Sequence, residues 1–228
     1  MSPRIPRPQR SVPLPTHPRF ITLEGGEGAG KTTVLNALRD ALLAGDEEVV
    51  STREPGGTPL AELIRGLLLN PHADRARHEA PSAETELLLM FAARAQHVRE
   101  TILPALERGA WVLSDRFTDS SYAYQGGGRG LDAGFIAELE RRVVGLQPSL
   151  TLLLDVGVAQ GRERTRGRDL YPDRIEAERD EFFERVRAAY LSRADAEPRR
   201  FRVIDATQTV ERVSEEAVHQ LRDWQAGA

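Results

Sequence analysis

A glycine-rich loop that ends in lysine and threonine constrains the fold of this chain more than any other feature. It occupies residues 25–32, GGEGAGKT, and fits the pattern G-x-x-x-x-G-K-[ST] at each fixed position. Residues 19–24 before it are rich in the β-branched and aromatic types that favour a buried strand. After it, Leu35, Leu38 and Leu42 recur at the spacing of one helix face. The order strand, loop, helix predicts an α/β fold built around this loop.

The residue types in the loop suit the binding of a nucleoside triphosphate. Glycines leave backbone N–H groups free to approach phosphate oxygens, and the following helix adds its N-terminal donors and the positive end of its dipole. Lys31, the only lysine in the chain, supplies a point charge for the β- and γ-phosphates, and the Thr32 hydroxyl is a ligand for Mg²⁺. The residues expected to contact the nucleotide are Gly25, Gly26, Glu27, Gly28, Ala29, Gly30, Lys31, Thr32 and Thr33.

The composition is that of a globular domain. The 228 residues are 40% hydrophobic, and the net charge of −4 does not mark the chain as a binder of nucleic acid. The absence of cysteine excludes disulfides and is compatible with the cytoplasm. The longest apolar run, residues 87–93, is far shorter than a membrane span. We therefore expect a cytoplasmic protein with small-molecule nucleotide partners and no membrane or nucleic-acid partner.

Residues 1–18 differ from the rest, with six prolines, three arginines and no acidic residue. We interpret them as a disordered Pro/Arg-rich tail before a single domain of residues 19–228. A basic arm that touches nucleic acid is the alternative.

Strand and helix patterns alternate from residue 19 onward. Strands are predicted at residues 19–24, 48–52, 110–114, 150–155 and 202–205. Helices are predicted at residues 33–43, 59–69, 83–107 (bent near Pro104), 132–144, 175–194 and 210–224, and a flexible glycine loop at 126–130. The pattern predicts a P-loop NTPase-like three-layer α/β sandwich. Its five-stranded parallel sheet has helices on both faces and ligands at the carboxyl ends of the strands.

Two segments that follow strands carry candidate site residues. Asp115 and Arg116 suit a Mg²⁺ ligand and a phosphate ligand, with a surface ion pair as the alternative. Residues 53–58, REPGGT, form a tight turn that either approaches a ligand or simply reverses the chain. Arg65 on the next helix faces either the same cleft or solvent.

Two clusters carry the group types that recognise a nucleoside: Met90, Phe91 and Arg94 on the third helix, and Ser121, Tyr124 and Gln125 before the glycine run. In the first cluster, the spacing by itself favours core packing of the two apolar side chains. The second cluster, taken alone, is interpreted as a turn.

An arginine-rich stretch follows the fourth strand, with Arg162, Arg164, Arg166 and Arg168 at alternate positions. Such a run favours a mobile lid, about residues 162–174, that closes over polyphosphate. The alternative is a solvated face that Glu163 and Asp169 partly neutralise.

Together these motifs resemble those of bacterial thymidylate kinases, the dTMP kinases of the P-loop nucleoside monophosphate kinase family. The resemblance runs from Phe20 to the last helix. Its motifs, in the family's order, are residues 25–32, 52–58 (TREPGGT), 91–94 (FAAR), 115–117 (DRF) and 121–130 (SYAYQGGGRG). It implies transfer of the γ-phosphoryl group of ATP to dTMP with Mg²⁺, a place in dTTP biosynthesis, and a homodimer.

The resemblance also implies residue roles. Glu27 contacts the acceptor sugar, and Tyr124 excludes a ribose hydroxyl. Arg65 and Arg116 hold the dTMP phosphate, and Arg94 reads a thymine carbonyl. The residues implied to bind dTMP are Glu27, Arg53, Pro55, Arg65, Met90, Phe91, Arg94, Arg116, Ser121, Tyr124 and Gln125.

A lid arginine is implied to serve catalysis, because Gly28 stands where some family members have an arginine in the loop. The expected catalytic residues are Lys31, Arg116, Arg164 and Arg166, and the expected metal ligands are Thr32 and Asp115. Ala206 is implied to lie along adenine. The family commonly has phenylalanine at the register of Met90, so thymine stacking comes from either Met90 or Phe91.

Other functions are open at this point. A kinase for another nucleoside monophosphate or for a deoxynucleoside shares the loop, the Asp115–Arg116 pair and the lid. A P-loop ATPase or GTPase switch is the more distant alternative. A GTPase would be expected to carry a guanine-reading Asn-Lys-x-Asp motif. The chain cannot contain this motif, because its only lysine is Lys31 in the glycine-rich loop.

Overall fold

A computed structural model describes residues 14–69, 80–166 and 173–227. Its five strands are β1 (Thr16–Gly25), β2 (Val49–Arg53), β3 (Trp111–Asp115), β4 (Gln147–Asp155) and β5 (Phe201–Asp205). They form one parallel sheet in the order β2-β3-β1-β4-β5. Strand β1 therefore lies between β3 and β4, and the loop that follows β1 emerges at the centre of the carboxyl edge, where such sheets bind ligands.

Helices cover both faces of the sheet. They are α1 (Lys31–Leu43), α2 (Pro59–Leu69), α3 (Ala83–His97), α4 (Leu103–Glu107), α5 (Thr118–Ser121), α6 (Ala133–Leu139), α7 (Val158–Thr165), α8 (Asp180–Ala196) and α9 (Val210–Gly227). Wider π-helical turns at Val98–Ile102, Tyr122–Gly128 and Glu140–Val144 extend α3, α5 and α6. No helix in the described ranges is both long and apolar enough to span a membrane.

The two sides of β1 supply two cores. Phe20 packs with Phe91 and Phe117 on one face, whereas Ile21 packs with Leu38 and Leu113 on the other. Both β1 residues are fully buried because adjacent strand residues point to opposite faces, and here each face is covered. The predicted sandwich is thus confirmed, with strand boundaries within a few residues of those expected.

The start predicted for the first strand, residue 19, is wrong by a few residues. Strand β1 already begins at Thr16, where Thr16 and His17 pair with Gln147 and Pro148 of β4. The other part of the predicted tail, residues 1–13, lies outside the described residues.

The predicted flexible glycine loop is also wrong. Residues up to Gly128 continue the π-helical turn and pack against α8. A Cβ atom on Gly127 would lie 2.6 Å from Cβ of Ala189, and one on Gly128 would lie 2.4 Å from Cε2 of Phe182. These glycines therefore permit close packing against α8.

Two predicted helices differ in their details. The helix expected at 83–107 is continuous as α3, a π-helical turn and α4, and the N–H of Leu103 bonds to the carbonyl of Val98 just before Pro104. The helix expected from residue 175 begins only at Asp180. Before it, Asp173 Oδ1 accepts hydrogen bonds from the backbone N–H groups of Ile175 and Glu176, which closes a separate turn.

Candidate active site

Two cavities meet at the glycine-rich loop. The inner cavity, of about 210 Å³, has side chains from the loop, from α2 and α3 and from residues 115–125; they include Glu27, Pro55, Arg65, Met90, Arg94, Arg116, Ser121, Tyr124 and Gln125. The outer cleft, of about 440 Å³, opens at the N-terminus of α1; its residues include Gly28, Ala29, Gly30, Thr32, Thr33, Arg164 and Gln208. Lys31 and Asp115 line both, so this is the point at which the two cavities join.

The backbone of the loop requires glycine. Gly25, Gly28 and Gly30 have φ values of 136°, 70° and 89°, in a region that residues with a Cβ atom rarely adopt. A Cβ atom on Gly28 would also lie 2.1 Å from the carbonyl oxygen of Gly161, so α7 rests directly on the loop. An arginine in place of Gly28 would therefore displace α7.

Lys31 is held beneath the loop. Its Nζ donates hydrogen bonds to the carbonyls of Gly26 at 2.9 Å and Gly25 at 3.3 Å. Burial, and then the nearby charge of Arg116, lower the pKa of Lys31 to about 8. Both effects disfavour the isolated ammonium ion and would be offset by phosphate anions.

The groups around Asp115 fit a magnesium ion. Its Oδ1 is buried and has no hydrogen-bond partner among the described residues, and Thr32 shares the outer cleft with it. The described residues contain no cluster of three His, Asp or Glu side chains that would hold a metal alone. Mg²⁺ needs only one or two protein ligands at such a site, because nucleotide phosphates and water complete its coordination.

Arg116 is fixed at the junction of the cavities. Its backbone has a φ of 71°. The guanidinium donates to the Gly25 carbonyl and to the hydroxyls of Tyr124 and Tyr190, each at 3.0 Å. The Tyr190 hydroxyl in turn donates to Glu24 at 2.8 Å. Tyr190 is a residue that the sequence pattern did not single out. Arg116 is thus held in one orientation by α8 and by the loop.

Glu27 projects from the loop into the inner cavity. Burial raises its pKa to about 7; the charge of Arg116 opposes this shift, and the carboxylates of Glu176 and Asp173 add to it. A carboxyl group with such a pKa accepts or donates a hydrogen bond near neutral pH, which suits contact with a sugar hydroxyl.

Arg94 is almost fully buried on α3. Its Nε donates to Glu54 at 2.5 Å, its Nη1 to the Ser121 hydroxyl at 3.0 Å, and its Nη2 to the Phe117 carbonyl at 3.0 Å. The Phe91 ring lies in the core, 4.8 Å below the guanidinium carbon. Met90, rather than Phe91, lines the inner cavity. Of the two side chains expected to stack on thymine, Met90 therefore lines this cavity and Phe91 does not.

Glu54 is a second residue that the sequence interpretation missed. It is buried, and its other oxygen accepts a hydrogen bond from His97 Nδ1 at 2.9 Å. His97 Nε2 is 2.7 Å from the Thr52 hydroxyl. Because α3 places His97 one turn after Arg94, the spacing in FAARAQH carried a weak signal. Glu54, which bonds to both Arg94 and His97, lies on a different segment, and no spacing signal connected it with them.

Two of the residues expected to bind dTMP, Arg53 and Phe91, do not line the inner cavity. Arg53 pairs with Glu62 at 3.0 Å, with its side chain 55% exposed, and lines neither cavity. Phe91 lies in the core. Arg65, in contrast, faces the inner cavity and donates to the Pro55 carbonyl at 3.0 Å.

The two expected lid arginines differ. Arg164 Nη1 donates to the carbonyls of Ala206 at 2.7 Å and Gly28 at 3.4 Å, so it lies over the loop. Arg166 forms an ion pair with Glu163 at 2.9 Å, and its side chain is 77% exposed. Residues 167–172 of the expected lid, including Arg168, lie outside the described residues.

Comparisons with known proteins agree on one family. The thymidylate kinase family model matches residues 23–217. A protein named thymidylate kinase from Chromohalobacter salexigens is 58% identical over 86% of this chain and 91% of its own length. One of the same name from Alcanivorax borkumensis is 51% identical over 91% of this chain and 98% of its own length. A crystal structure of thymidylate kinase from Ehrlichia chaffeensis superposes with a TM-score of 0.69 at 33% identity, covering 91% of this chain and 98% of that one.

Proposed function

Since this chain belongs to the thymidylate kinase family, we propose how its two cavities divide the work of the reaction. The enzyme transfers the γ-phosphoryl group of ATP to dTMP, giving dTDP and ADP. The observation that carries the proposal is the junction of the cavities at Lys31 and Asp115. The inner cavity takes dTMP and the outer cleft takes ATP, so the two phosphates meet at this junction.

ATP is bound by the loop and by the start of α1. Backbone N–H groups from Gly28 to Thr33 cradle its phosphates, and Lys31 neutralises the β- and γ-phosphates. Adenine lies along residues 205–207, next to the Arg164 guanidinium. Mg²⁺ is held by Thr32 and Asp115, directly or through water, and when bound it neutralises charge on the phosphates.

dTMP is bound by the polar residues of the inner cavity. Arg65 and Arg116 bind its phosphate, Glu27 bonds to its sugar, and the Tyr124 ring fills the space that a ribose 2′-hydroxyl would need. Arg94 donates to a thymine carbonyl, since the contacts described above use only part of its five N–H groups. Met90 packs against the face of the base.

The chemical step needs charge neutralisation rather than a general base. The acceptor is a phosphate oxygen that is already ionised at neutral pH, so no proton has to be removed from it. Two polyanions must instead approach each other. Lys31 and Arg116 hold positive charge at the junction, Arg164 adds charge over the loop, and together they stabilise the phosphoryl group as it passes between the cavities.

A coupled assay of ADP release tests this function. With ATP and Mg²⁺, we expect fast turnover on dTMP, slower turnover on dUMP, and little on dCMP, AMP, the ribonucleotide of thymine or thymidine. A preference for AMP or thymidine would assign the enzyme to another kinase class. Release of ADP without any acceptor would point to an ATPase instead.

The proposed assembly is a homodimer formed through α2 and α3. Leu60, Leu63 and Leu67 lie on one side of α2 and are 49%, 70% and 67% exposed, and Leu88 of the adjoining α3 is 50% exposed. Contiguous exposed leucines on packed helices are typical of a protein interface. A second copy of this chain covers them.

Light scattering after gel filtration tests the assembly. Leu63→Glu should convert a dimer to a monomer, because it places a charge in the apolar interface. Leu43→Glu is the matched control, since Leu43 is 49% exposed on α1. A wild-type monomer at all concentrations, or the same mass for both variants, would refute the proposed interface.

The proposed location is the cytoplasm, because both substrates are charged nucleotides that do not cross a lipid bilayer unaided. Cell fractionation and immunoblotting would test it, and recovery in a membrane or secreted fraction would contradict it.

A further inference from the structure

Glu86 is a buried carboxylate on α3 that none of the family motifs includes. Its side chain is 1% exposed. Its Oε1 accepts a hydrogen bond from Gln125 Nε2 at 2.8 Å. Its Oε2 forms ion pairs with Arg174 and, at 3.3 Å, with Arg129. Glu86 itself does not line the inner cavity, but Gln125 does.

The charge on Glu86 is maintained by its partners. Burial alone would raise its pKa, but hydrogen bonds from Gln125 and Arg174 and the charges of Arg174 and Arg129 lower the pKa below its ordinary value. Glu86 is therefore ionised at neutral pH, and an ionised carboxylate only accepts hydrogen bonds.

This constraint determines how the Gln125 amide is turned. An amide has a donating NH₂ group and an accepting oxygen, and only the NH₂ group is compatible with the carboxylate. With Nε2 bonded to Glu86, Oε1 is directed away from that carboxylate, and Gln125 lines the inner cavity. Gln125 is 1% exposed, so water has little access to the bond between its Nε2 and Glu86.

We propose that Glu86 is a specificity-determining positioning residue, which fixes Gln125 so that its oxygen accepts a hydrogen bond from the base of dTMP. The proposal rests on the assignment of dTMP to the inner cavity. Thymine carries an N–H group at N3 between two carbonyls, and cytosine carries an acceptor at N3. The fixed oxygen is complementary to the first and repels the second.

Arg94 and Gln125 then read adjacent positions of the base. Arg94 donates to a carbonyl, whereas Gln125 accepts from the neighbouring N–H group. Cytosine presents its amino group and its ring nitrogen in the opposite pattern, so both contacts would be lost together. A buried polar group left without a partner is a strong basis for rejecting a substrate.

The test is Glu86→Gln, assayed for kcat and KM with dTMP and dCMP. A glutamine at position 86 either donates or accepts, so Gln125 becomes free to turn its NH₂ group toward the base. We expect the ratio of kcat/KM for dTMP to that for dCMP to fall about tenfold, the order of effect of one hydrogen bond. The change should appear mainly in KM, because the residue acts on base binding rather than on phosphoryl transfer.

Glu178→Gln is the matched control. Glu178 also bonds to Arg129, at 2.5 Å, but within the described chain it does not contact Gln125. Its variant should keep the wild-type ratio. Glu86→Asp is the second variant, and it provides the test if Glu86→Gln does not fold. It keeps the charge that Arg174 and Arg129 require but is too short to reach Gln125, so its ratio of kcat/KM for dTMP to that for dCMP should also fall.

A double-mutant cycle separates positioning from general disturbance. In a Gln125→Met background, Glu86→Gln should leave the substrate ratio unchanged, because its effect passes through the Gln125 amide. An unchanged ratio in folded Glu86→Gln or Glu86→Asp, with an active and selective wild type, would overturn the proposal. A wild type that does not phosphorylate dTMP would instead overturn the proposed function.

Discussion

The inner cavity and the outer cleft hold their charged groups in different ways. In the inner cavity, Arg94 is bonded to Glu54 and to Ser121, and Arg116 is bonded to two tyrosine hydroxyls. In the outer cleft and at its junction with the inner cavity, Asp115 has an oxygen without a partner in the described chain, and Lys31 and Arg164 are bonded to main-chain carbonyls. Arg94 and Arg116 are thus held mainly by other side chains, whereas Lys31 and Arg164 are held by neutral main-chain carbonyls.

The difference indicates two ways of recognising an anion. Side chains that are locked by buried partners lose little entropy on binding and discriminate by geometry. Cations on neutral carbonyls exchange those partners for phosphate oxygens, which form stronger, charge-assisted hydrogen bonds. Variants of the inner cavity should therefore affect stability and specificity, and variants of the outer cleft should affect turnover and ATP affinity.

The largest effect is expected from Glu54→Gln in the inner cavity. The change removes a buried carboxylate and leaves Arg94 uncompensated, at a cost of ~3–5 kcal/mol in the free energy of unfolding. Urea denaturation would measure it. The control is Glu138→Gln, since the Glu138–Arg141 pair is nearly half exposed on both sides and should contribute far less to stability than the buried pair. Equal losses for the two variants would mean that the inner cavity is not locked by this carboxylate.

Lys31→Ala is the corresponding variant of the outer cleft. It removes a preorganised positive charge at the junction of the cavities, so kcat with dTMP should fall by ~10²–10³. Its melting temperature should change little, because the hydrogen bonds of Lys31 within the described residues go to carbonyls of the loop. Stopped assays at saturating ATP would measure kcat, and near-normal turnover would refute the assigned role of Lys31.

A smaller effect should separate the two lid arginines. Arg164→Ala removes a charge that lies over the loop, so kcat/KM for ATP should fall by ~10- to 100-fold, the range for hydrogen bonds to charged groups. Arg166→Ala removes a side chain that is 77% exposed, and its effect should be weaker. The reverse ranking would mean that the lid rearranges when ATP binds and brings Arg166 over the loop.

The sequence predicted the sheet because the central strands β1, β3 and β4 are rich in buried apolar residues and recognisable motifs follow β1, β2 and β3. The carboxyl ends of β1 and β3 then bring Lys31, Asp115 and Arg116 to one edge, which a parallel sheet requires. The glycines at 126–128 were misinterpreted because flexibility and close packing against α8 require the same residue. Nothing in the local pattern separates these two reasons for glycine.

The partners that hold the site were harder to predict. Glu54, Glu86 and Tyr190 come from segments far apart in the chain and meet the motif residues only after folding. Their residue types are common on exposed helices and turns, so their burial had no local signal. The choice between Met90 and Phe91 depended on the rotation of α3, which a shift of one residue changes by about 100°.

The pH dependence of ATP binding is the most sensitive comparison of the two sites. The pKa of Lys31 is lowered to about 8 in the free enzyme, and its charged form is the one that binds phosphate. As the pH rises from 7 through 8 to 9, the charged fraction falls and ATP affinity should weaken by about tenfold. Titration calorimetry in buffers of different ionisation enthalpy should detect proton uptake on binding above pH 8. An affinity that stays constant to pH 9 would mean that Lys31 keeps an ordinary pKa and that the loop does not hold it in the buried position described here.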